Sequence, residues 1–464
     1  MTLQEYLNGI RDKRVTVIGI GVSNRPLLRL LAQAGAQVTA RDKKTEEQLG
    51  EITSELREKG VRLILGEHYL EGLEGDIIFR TPGLRPDHPA LLEAKASGAQ
   101  ITSEMEVFFQ VCPCRMIAVT GSDGKTTTTT LIAEMLRAAG KKVWLGGNIG
   151  TPLLDQAGLM QTEDVAVLEL SSFQLMSMEK TPHIAVITNL SPNHLDVHRD
   201  MEEYISAKCN IFRAQGPEDV LVLNYDNELT RALAPQAPGQ VRFFARQNTL
   251  TEGVCLKDGC IADNGAPLMA TADIRIPGVH NIENYMAACA ALRGLVTPAV
   301  MEQVAKTFGG VEHRLELVRE LDGVKWYNDS IGSSPTRTIA GLRSFSQKVI
   351  LIAGDYDKHI PFDRLGELMP EKVKLLLLCG ATAEKIQAAV LAAPGYRPGA
   401  PEILRFDRLD AVIQKAQQLA RPGDIVLFSP ACASFDQFPN FMLRGKYFKE
   451  QVRALQSTNT TEIR

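Results

Sequence analysis

One short segment constrains the fold of this chain more than any other. Residues 117–127 read I-A-V-T-G-S-D-G-K-T-T: an apolar run, a glycine-containing loop, then a lysine and two threonines. A stretch with Leu131, Met135 and Ala139 at helical spacing follows. This order is typical of a polyphosphate site, because loop N–H groups and the helix N-terminus face the anion. The segment therefore predicts a nucleotide-binding α/β unit.

The loop departs from the standard phosphate-binding pattern at one position. That pattern places a glycine five residues before Gly124, where this chain has Val119, and the earlier glycine is Gly121 instead. On the pattern alone, an ordinary tight turn before a helix stays open as the alternative. In the nucleotide hypothesis, the Lys125 ammonium reaches the outer phosphates and the Thr126 hydroxyl holds Mg²⁺.

Length and composition indicate a multidomain globular protein. With 464 residues the chain is too long for one ordinary core, and roughly three domains are expected. A formal net charge of −4 gives no sign of a nucleic-acid or anionic-membrane partner. The chain has no apolar stretch of membrane-spanning length and no signal-peptide pattern at its start. Its eight cysteines include no C-x-x-C motif, which favours free thiols and a cytoplasmic location.

Three alternations of strands and helices predict an α/β fold with three domains in series. Residues 1–103 contain a βαβ unit around the turn G-I-G-V-S-N. Residues 104–311 begin with the stretch that leads into the phosphate loop. Their short apolar strands imply a parallel sheet with helices on both faces. Residues 312–464 repeat the alternation.

Polar residues follow the predicted strands, where open parallel sheets place their ligand-contacting groups. Glu169 follows an apolar run and is placed to hold the Mg²⁺ of a nucleotide bound at Lys125; a solvated strand-end glutamate is the alternative. His194 lies four residues before His198, a spacing that can chelate zinc. Because the glutamate of H-E-x-x-H is absent, a role for His194 beside phosphate-bound Mg²⁺ is the better hypothesis.

Other candidates keep alternatives open. Lys208 lies on an amphipathic stretch, and the residues alone favour a surface helix lysine. Asn281 and Asn284 share a helix face and can bracket a base or phosphate, or simply cap a helix. Asp42 lies about 20 residues after the first glycine turn, as in a dinucleotide site. Asn24 replaces the third glycine of that fingerprint, so an NAD site is the weaker alternative.

Together these motifs resemble the Mur ligase family, the ATP-dependent amide ligases of peptidoglycan precursor synthesis. The resemblance covers nearly the whole chain, and T-G-S-D-G-K-T-T is similar to that family's own phosphate loop. The other matching segments, in order, are G-G-N-I-G (146–150), L-E-L-S-S-F-Q-L (168–175), H-N-x-x-N (280–284), H-R-L-E (313–316) and S-P-A-C-A-S-F-D-Q-F (429–438). The second and the last of these are specific to the branch that adds D-glutamate.

The resemblance implies a fold and an activity. Residues 1–103 would form a UDP-sugar-binding Rossmann-like domain, and residues 104–311 a central ATP-binding P-loop domain with an ATPase-type parallel sheet. Residues 312–464 would form a C-terminal amino-acid-binding Rossmann-like domain. The implied reaction adds D-glutamate to UDP-N-acetylmuramoyl-L-alanine through an acyl phosphate, with ATP and two Mg²⁺ ions. No nucleic acid or membrane insertion is implied, and a monomer is expected.

The resemblance also implies roles for individual residues. The ATP site would comprise Gly121, Ser122, Asp123, Gly124, Lys125, Thr126, Thr127, Asn281, Arg314 and Asp329. The UDP-sugar site would comprise Ser23, Asp42, Lys43, Lys44, Thr81, Asn148 and Gln174. The amino-acid pocket would comprise Ser333, Lys358, Ser434 and Phe441. The metal ligands would be Thr126, Glu169, His194 and a carbamylated Lys208, and the catalytic residues Lys125, Glu169, His194 and Lys208.

The chain departs from the family pattern at two places. Where the family usually has N-D-S-K-A-T-N, residues 328–334 read N-D-S-I-G-S-S, so Ile331 replaces a lysine and Ser333 a threonine. Lys43 replaces a small polar residue. Two alternatives therefore stay open. One is a related amide ligase with another acceptor, such as another Mur step or folylpolyglutamate synthase. The other is an inactive nucleotide-binding paralogue.

Overall fold

The structure is a computed structural model that describes residues 1–192, 197–357 and 360–457. It contains three sheets, and the chain divides into two compact units. The first unit comprises Met1–Thr271 and Glu283–Val304, and it includes the first two sheets. The second comprises Ala272–Ile282 and the chain from Ala305 onward, and it includes the third sheet. The α/β class is confirmed, whereas the domain boundaries near residues 103 and 311 stay a prediction.

The first sheet is parallel throughout, with strand order β3-β2-β1-β4-β5. Its central strand β1 is buried at four of its five residues. The elements of this part are α1 (Leu3–Gly9), β1 (Arg14–Ile18), α2 (Asn24–Gln33), β2 (Gln37–Asp42), α3 (Glu46–Leu49), α4 (Ile52–Glu58), β3 (Arg62–Leu65), β4 (Ile77–Phe79), α5 (Pro89–Ala96) and β5 (Gln100–Thr102).

The second sheet has nine strands in the order β14-β13-β12-β11-β10-β9-β6-β8-β7. Strands β8, β9 and β10 are buried at every residue, which is typical of strands covered on both faces. The elements are α6 (Glu104–Val111), β6 (Arg115–Thr120), α7 (Lys125–Ala138), β7 (Val143–Gly147), β8 (Val165–Glu169), α8 (Ser172–Leu175), β9 (Ile184–Ile187), α9 (Met201–Cys209), β10 (Val220–Asn224), α10 (Glu228–Arg231), β11 (Gln240–Ala245), β12 (Val254–Lys257), β13 (Cys260–Asp263), β14 (Ala266–Ala270), α11 (Val279–Leu292) and α12 (Pro298–Thr307).

The third sheet has six strands in the order β15-β16-β20-β17-β18-β19. Two apolar clusters form its core, and strand β17 contributes residues to both. The elements are β15 (Glu316–Leu321), β16 (Val324–Asn328), α13 (Pro335–Arg343), β17 (Val349–Ala353), α14 (Asp363–Lys372), β18 (Val373–Cys379), α15 (Ala383–Leu391), β19 (Glu402–Phe406), α16 (Leu409–Leu419), β20 (Ile425–Phe428) and α17 (Phe441–Ala454).

The expectation of a parallel central sheet is confirmed from β7 to β12, and one edge adds antiparallel strands. Strands β12, β13 and β14 form an antiparallel meander, and β15 pairs antiparallel with β16 in the third sheet. Each hairpin turns at an Asp-Gly or Asn-Gly pair, at residues 258–259, 264–265 and 322–323, and both residues of every pair have positive φ. Such pairs favour two-residue hairpin turns, so the sequence did contain this signal.

A buried carboxyl group at the start of α6 predicts how stability depends on pH. Burial raises the pKa of Glu104 to about 7, and its Oε1 accepts a hydrogen bond from the Leu154 N–H at 3.2 Å. The folded chain therefore keeps this proton up to about pH 7, whereas the unfolded chain releases it near its ordinary pKa of 4.5. The free energy of unfolding must fall as the pH rises through this interval.

We expect Glu104→Gln to remove this fall, because the amide oxygen still accepts from Leu154 and carries no charge. At pH 8 the variant should be more stable than the wild type by at most about 3 kcal/mol, and near pH 4 the two should match. Urea midpoints measured from pH 4 to 8 provide the test. Parallel curves for the two proteins would contradict the assignment.

Candidate nucleotide and substrate site

The phosphate loop connects β6 to α7, and its two glycines are required by close contacts. Gly121 has φ +146°, and a Cβ there would lie 2.0 Å from Thr188 Oγ1. Gly124 has φ +76°, and a Cβ there would lie 2.3 Å from Asn284 Oδ1. Side chains at either position would therefore displace the loop or its neighbours. These contacts explain why both positions are glycine. They also account for Gly121, which lies two residues after the place where the standard pattern has its first glycine.

Hydrogen bonds hold the loop against the segment that follows β9. Ser122 N–H donates to Asn189 O at 2.9 Å, and Ser122 Oγ donates to Ser191 O at 2.9 Å. Asp123 N–H donates to Asn189 Oδ1 at 2.9 Å, while Thr188 Oγ1 donates to Asp123 O at 2.5 Å. The segment 188–191 thus holds the loop at Ser122 and Asp123, which reduces the entropy that ligand binding must overcome.

The lysine and threonine of the loop lie at the N-terminus of the 14-residue helix α7, where partial positive charge favours an anion. Lys125 is half-buried, and its Nζ donates to Gly121 O at 3.0 Å and to Ser122 O at 2.9 Å. Thr126 is also half-buried, and the following Thr127 is buried. These groups are placed as a phosphate site requires.

Glu169 is the last residue of β8, beside β6, and is only 2 % exposed. Its Oε1 accepts a hydrogen bond from Asn148 Nδ2 at 2.8 Å. Its Oε2 is buried and has no hydrogen-bond partner among the described residues. Burying a carboxylate oxygen without a hydrogen-bond partner is costly unless a ligand binds to that oxygen. Mg²⁺ prefers carboxylate oxygens as ligands.

Lys208 is buried, so the hypothesis of a surface helix lysine is wrong. The residue is 1 % exposed on α9, and its Nζ donates to Gly121 O at 2.9 Å and to Thr120 Oγ1 at 3.1 Å. Burial, and then the charge of Lys125, lower the pKa of this amine well below its ordinary value. The side chain is hidden because the buried face of α9, with Tyr204 and Ala207, places Lys208 at the end of β6.

Tyr204, which the sequence motifs did not indicate, lies next to Lys208. The Tyr204 ring lies 4.8 Å from Lys208 Nζ, and its hydroxyl is 3.0 Å from Ser122 Oγ. His198 packs edge-on against Tyr204, with ring centroids 5.2 Å apart, and stacks on the Phe173 ring. Tyr204 is one helical turn before Lys208, which was the available signal. His194, predicted as a metal ligand, lies outside the described residues.

The first sheet brings together part of the predicted UDP-sugar site. Asp42 is the last residue of β2, and its two carboxylate oxygens accept from Ile20 N–H at 2.6 Å and Lys44 N–H at 2.8 Å. The buried Asn24 donates to the carbonyls of Ile18 and Gly19, so it fills the place of the third fingerprint glycine. The carboxylate of Asp42 thus shapes the glycine turn itself.

The other residues predicted for this site occupy different environments. Ser23, Lys43, Lys44 and Asn148 are exposed, and Thr81 packs against Gly19, where a Cβ would come within 3.2 Å of Thr81 Cβ. Gln174 is buried, and its Oε1 accepts from the Ser171 N–H and hydroxyl at the start of α8. The Gln174 amide oxygen therefore already caps a helix.

In the second unit, Asp329 lies at the carboxyl end of β16 and is 4 % exposed. Its Oδ2 accepts from Ser429 Oγ at 2.7 Å and its Oδ1 from Leu315 N–H at 3.3 Å. Burial raises the pKa of Asp329 to about 7. A Cβ at Gly332 would lie 2.8 Å from Asp329 Oδ2, so glycine is needed beside the half-buried Ile331.

The remaining predicted residues of this unit vary in exposure. Arg314 is exposed, Ser333 and Phe441 are half-buried, and Ser434 is buried. Asn281, at the start of α11, donates from Nδ2 to Pro277 O at 2.6 Å. Lys358 lies outside the described residues.

Arg444, which the sequence motifs did not indicate, is 1 % exposed. Its guanidinium donates to Asp355 Oδ2 at 2.8 Å, to Ala433 O at 2.9 Å and to Ser330 O at 2.8 Å. It thus ties together the segments that follow β17, β20 and β16. The only indication of this role in the sequence was its position on the same helix as Phe441, three residues later.

A fixed glycine loop between a buried parallel strand and a helix, with a buried carboxylate at the next strand end, defines a P-loop nucleotide-binding α/β protein. Comparison of the sequence with known protein families narrows this class to one family. Residues 119–292 match the Mur ligase middle domain, and residues 313–432 match the glutamate ligase domain of the Mur ligases. The chain belongs to the Mur ligase family, which confirms the resemblance.

Relatives of similar length support this membership. The chain is 52 % identical over 463 residues to the UDP-N-acetylmuramoylalanine--D-glutamate ligase of Acetivibrio thermocellus, covering 98 % of this chain and 99 % of the relative. It is 51 % identical over 455 residues to the ligase of that name from Clostridium novyi, with the same coverage.

Solved structures support the fold. The UDP-N-acetylmuramate-alanine ligase of Thermotoga maritima matches with a TM-score of 0.57 at 18 % identity, covering 95 % of this chain and 99 % of that one. A UDP-N-acetylmuramoyl-L-alanyl-D-glutamate--2,6-diaminopimelate ligase matches with a TM-score of 0.56 at 19 % identity, covering 83 % and 93 %.

Proposed function

We propose that this protein is an ATP-dependent ligase that joins D-glutamate to UDP-N-acetylmuramoyl-L-alanine through an acyl phosphate. The observation that carries the ATP-dependent chemistry is the arrangement at the carboxyl ends of β6 and β8. There the phosphate loop, the buried Lys208 and the incompletely paired carboxylate of Glu169 lie together. The choice of substrates is supported by the full-length relatives that bear this activity in their names.

The reaction must overcome the low reactivity of a carboxylate. In the proposed first step, an oxygen of the substrate's terminal carboxylate attacks the γ-phosphorus of ATP, and ADP leaves. The amine of D-glutamate then attacks the acyl carbon, the C–N bond forms, and inorganic phosphate leaves. Lys125 would neutralise charge that gathers between the two anions during the first step.

The residues present fit Mg²⁺, which is the ion expected to accompany ATP. Two Mg²⁺ sites are expected. The first would be held by Thr126 and Glu169, and the second by His194 and a carbamate formed on Lys208. Among the described residues, no cluster of three or more His, Cys, Asp or Glu side chains could hold a metal by itself. Hydroxyl, carbamate and phosphate oxygens would therefore have to complete the coordination. Bound Mg²⁺ would supply charge neutralisation for the phosphoryl group.

Lys208 is suited to become a carbamate. Because burial lowers the pKa of its amine well below the ordinary value, a larger fraction of the amine is uncharged and keeps a free electron pair. That pair would attack the carbon of CO₂, form an N–C bond and release one proton. The product is an anion with two oxygens, and this converts a poor partner for Mg²⁺ into a good one.

We place the reaction in the cytoplasm and expect a monomer acting on small molecules, with no nucleic-acid partner. All eight cysteines are free thiols, as in a reducing compartment. In the described part of the chain, no helix is both long and apolar enough to cross a membrane.

Phosphate release from ATP tests the proposal. The purified protein is assayed with UDP-N-acetylmuramoyl-L-alanine and a panel of amino acids. We expect release only when both the nucleotide sugar and D-glutamate are present. Release with a different acceptor would instead indicate a related amide ligase, and ATP binding without any product would indicate an inactive paralogue.

A further inference from the structure

Arg80 is a buried arginine outside the sites described above. It follows β4 directly and is 1 % exposed, and burial lowers the pKa of its guanidinium. Burying a charged group is costly unless its N–H groups find acceptors. The acceptors that Arg80 contacts therefore indicate its role.

One side of the guanidinium holds a turn of the first sheet. Arg80 Nη1 donates to Leu84 O at 3.2 Å and lies 3.5 Å from Thr81 O. Leu84 N–H also donates to Thr81 O at 3.0 Å, so Arg80 closes the turn T-P-G-L over residues 81–84. Thr81 belongs to the proposed UDP-sugar site and packs against Gly19 of the glycine turn.

The other side of the guanidinium reaches the central sheet. Arg80 Nη2 donates to Phe173 O at 3.2 Å and to Ser177 Oγ at 2.5 Å, and Nε donates to the same hydroxyl at 3.2 Å. Phe173 precedes Gln174 on α8, four residues after Glu169. One side chain thus joins the turn at Thr81 to the helix that carries Gln174.

We propose that Arg80 is a positioning residue for the UDP-sugar substrate. It sets the spacing between the turn 81–84 and α8, which carry Thr81 and Gln174 of the predicted UDP-sugar site. The planar fork of Arg80 presents Nη1 to Leu84 O and Nη2 to Phe173 O, whereas a lysine ammonium would offer a single nitrogen. The inference rests on the proposed function, since it assumes that one substrate bridges both segments.

The test compares Arg80→Lys with a matched variant, Arg242→Lys. Arg242, on β11, also donates from Nη1 to backbone carbonyls, those of Ala290 at 3.1 Å and Arg293 at 3.4 Å, and it belongs to none of the proposed sites. We expect Arg80→Lys to raise the KM and the calorimetric Kd for UDP-N-acetylmuramoyl-L-alanine about tenfold. The KM values for ATP and D-glutamate should change less than about twofold, and Arg242→Lys should leave all three KM values unchanged.

A Kd for the nucleotide sugar equal to that of the wild type in Arg80→Lys would overturn the proposal. It would also be overturned if kcat and the unfolding midpoint both fell while all three KM values rose together, because that pattern indicates general damage to the fold. If the wild type binds the nucleotide sugar but forms no product, the proposed function fails, while a weaker Kd in Arg80→Lys still supports the role of Arg80. If the wild type does not bind the nucleotide sugar at all, both fail.

Discussion

Lys125→Ala should reduce turnover at least about 1,000-fold, which corresponds to about 4 kcal/mol of lost transition-state stabilisation. The reason is electrostatic. The Lys125 ammonium lies at the N-terminus of α7 against the loop carbonyls of Gly121 and Ser122, where it can turn toward a phosphate. Without it, two anions must approach each other with one fixed positive charge fewer. Steady-state kinetics with saturating substrates measure the effect.

The fold should survive this change, because Lys125 is only half-buried. We expect the unfolding midpoint to move by no more than about 4 °C. Lys141→Ala is the matched control: this lysine is exposed just beyond the other end of α7 and should keep wild-type rates. Near wild-type turnover in Lys125→Ala would refute the assignment of the phosphate loop.

Lys208→Ala should also lose most activity, on the order of 100-fold or more in kcat, and a short carboxylic acid should restore part of it. The truncated side chain leaves space beside Thr120 Oγ1 and Gly121 O, where acetate can supply the oxygens of the missing carbamate. Assays with rising acetate measure the rescue. Acetamide, which has similar size and no charge, should not rescue.

The wild type provides a second test of Lys208. Since only its uncharged amine combines with CO₂, activity should fall in CO₂-depleted buffer and return when bicarbonate is added. Lys208→Ala should not respond to bicarbonate. Failure of acetate to rescue this variant, with its Mg²⁺ affinity unchanged, would contradict a carbamate and leave Lys208 as a packing residue.

Local sequence signals predicted much of this arrangement. The phosphate loop and Glu169 lie as expected because a glycine turn and the end of a buried apolar strand are set by neighbouring residues. The parallel pairing of β6 with β8, and of β8 with β7, also follows from short apolar strands that need cover on both faces. The hairpins at β12–β14 were predictable from their Asp-Gly and Asn-Gly turns but were missed.

Contacts between residues far apart in the chain were not predictable. The Lys208 amine donates a hydrogen bond to Thr120, 88 residues earlier, and periodicity along α9 cannot reveal that neighbour. Arg80 donates a hydrogen bond to Ser177, 97 residues later, and the local sequence around either residue does not predict this contact. Asp42 has the spacing of a ribose ligand, yet its oxygens accept backbone N–H groups of Ile20 and Lys44.

Transfer of an oxygen atom tests the central claim most directly. UDP-N-acetylmuramoyl-L-alanine with an ¹⁸O-labelled terminal carboxylate is converted with ATP and D-glutamate, and the inorganic phosphate is analysed by mass spectrometry. If the carboxylate accepts the γ-phosphoryl group, each phosphate released carries one oxygen from the substrate. Amide product accompanied by phosphate free of ¹⁸O would contradict the acyl phosphate.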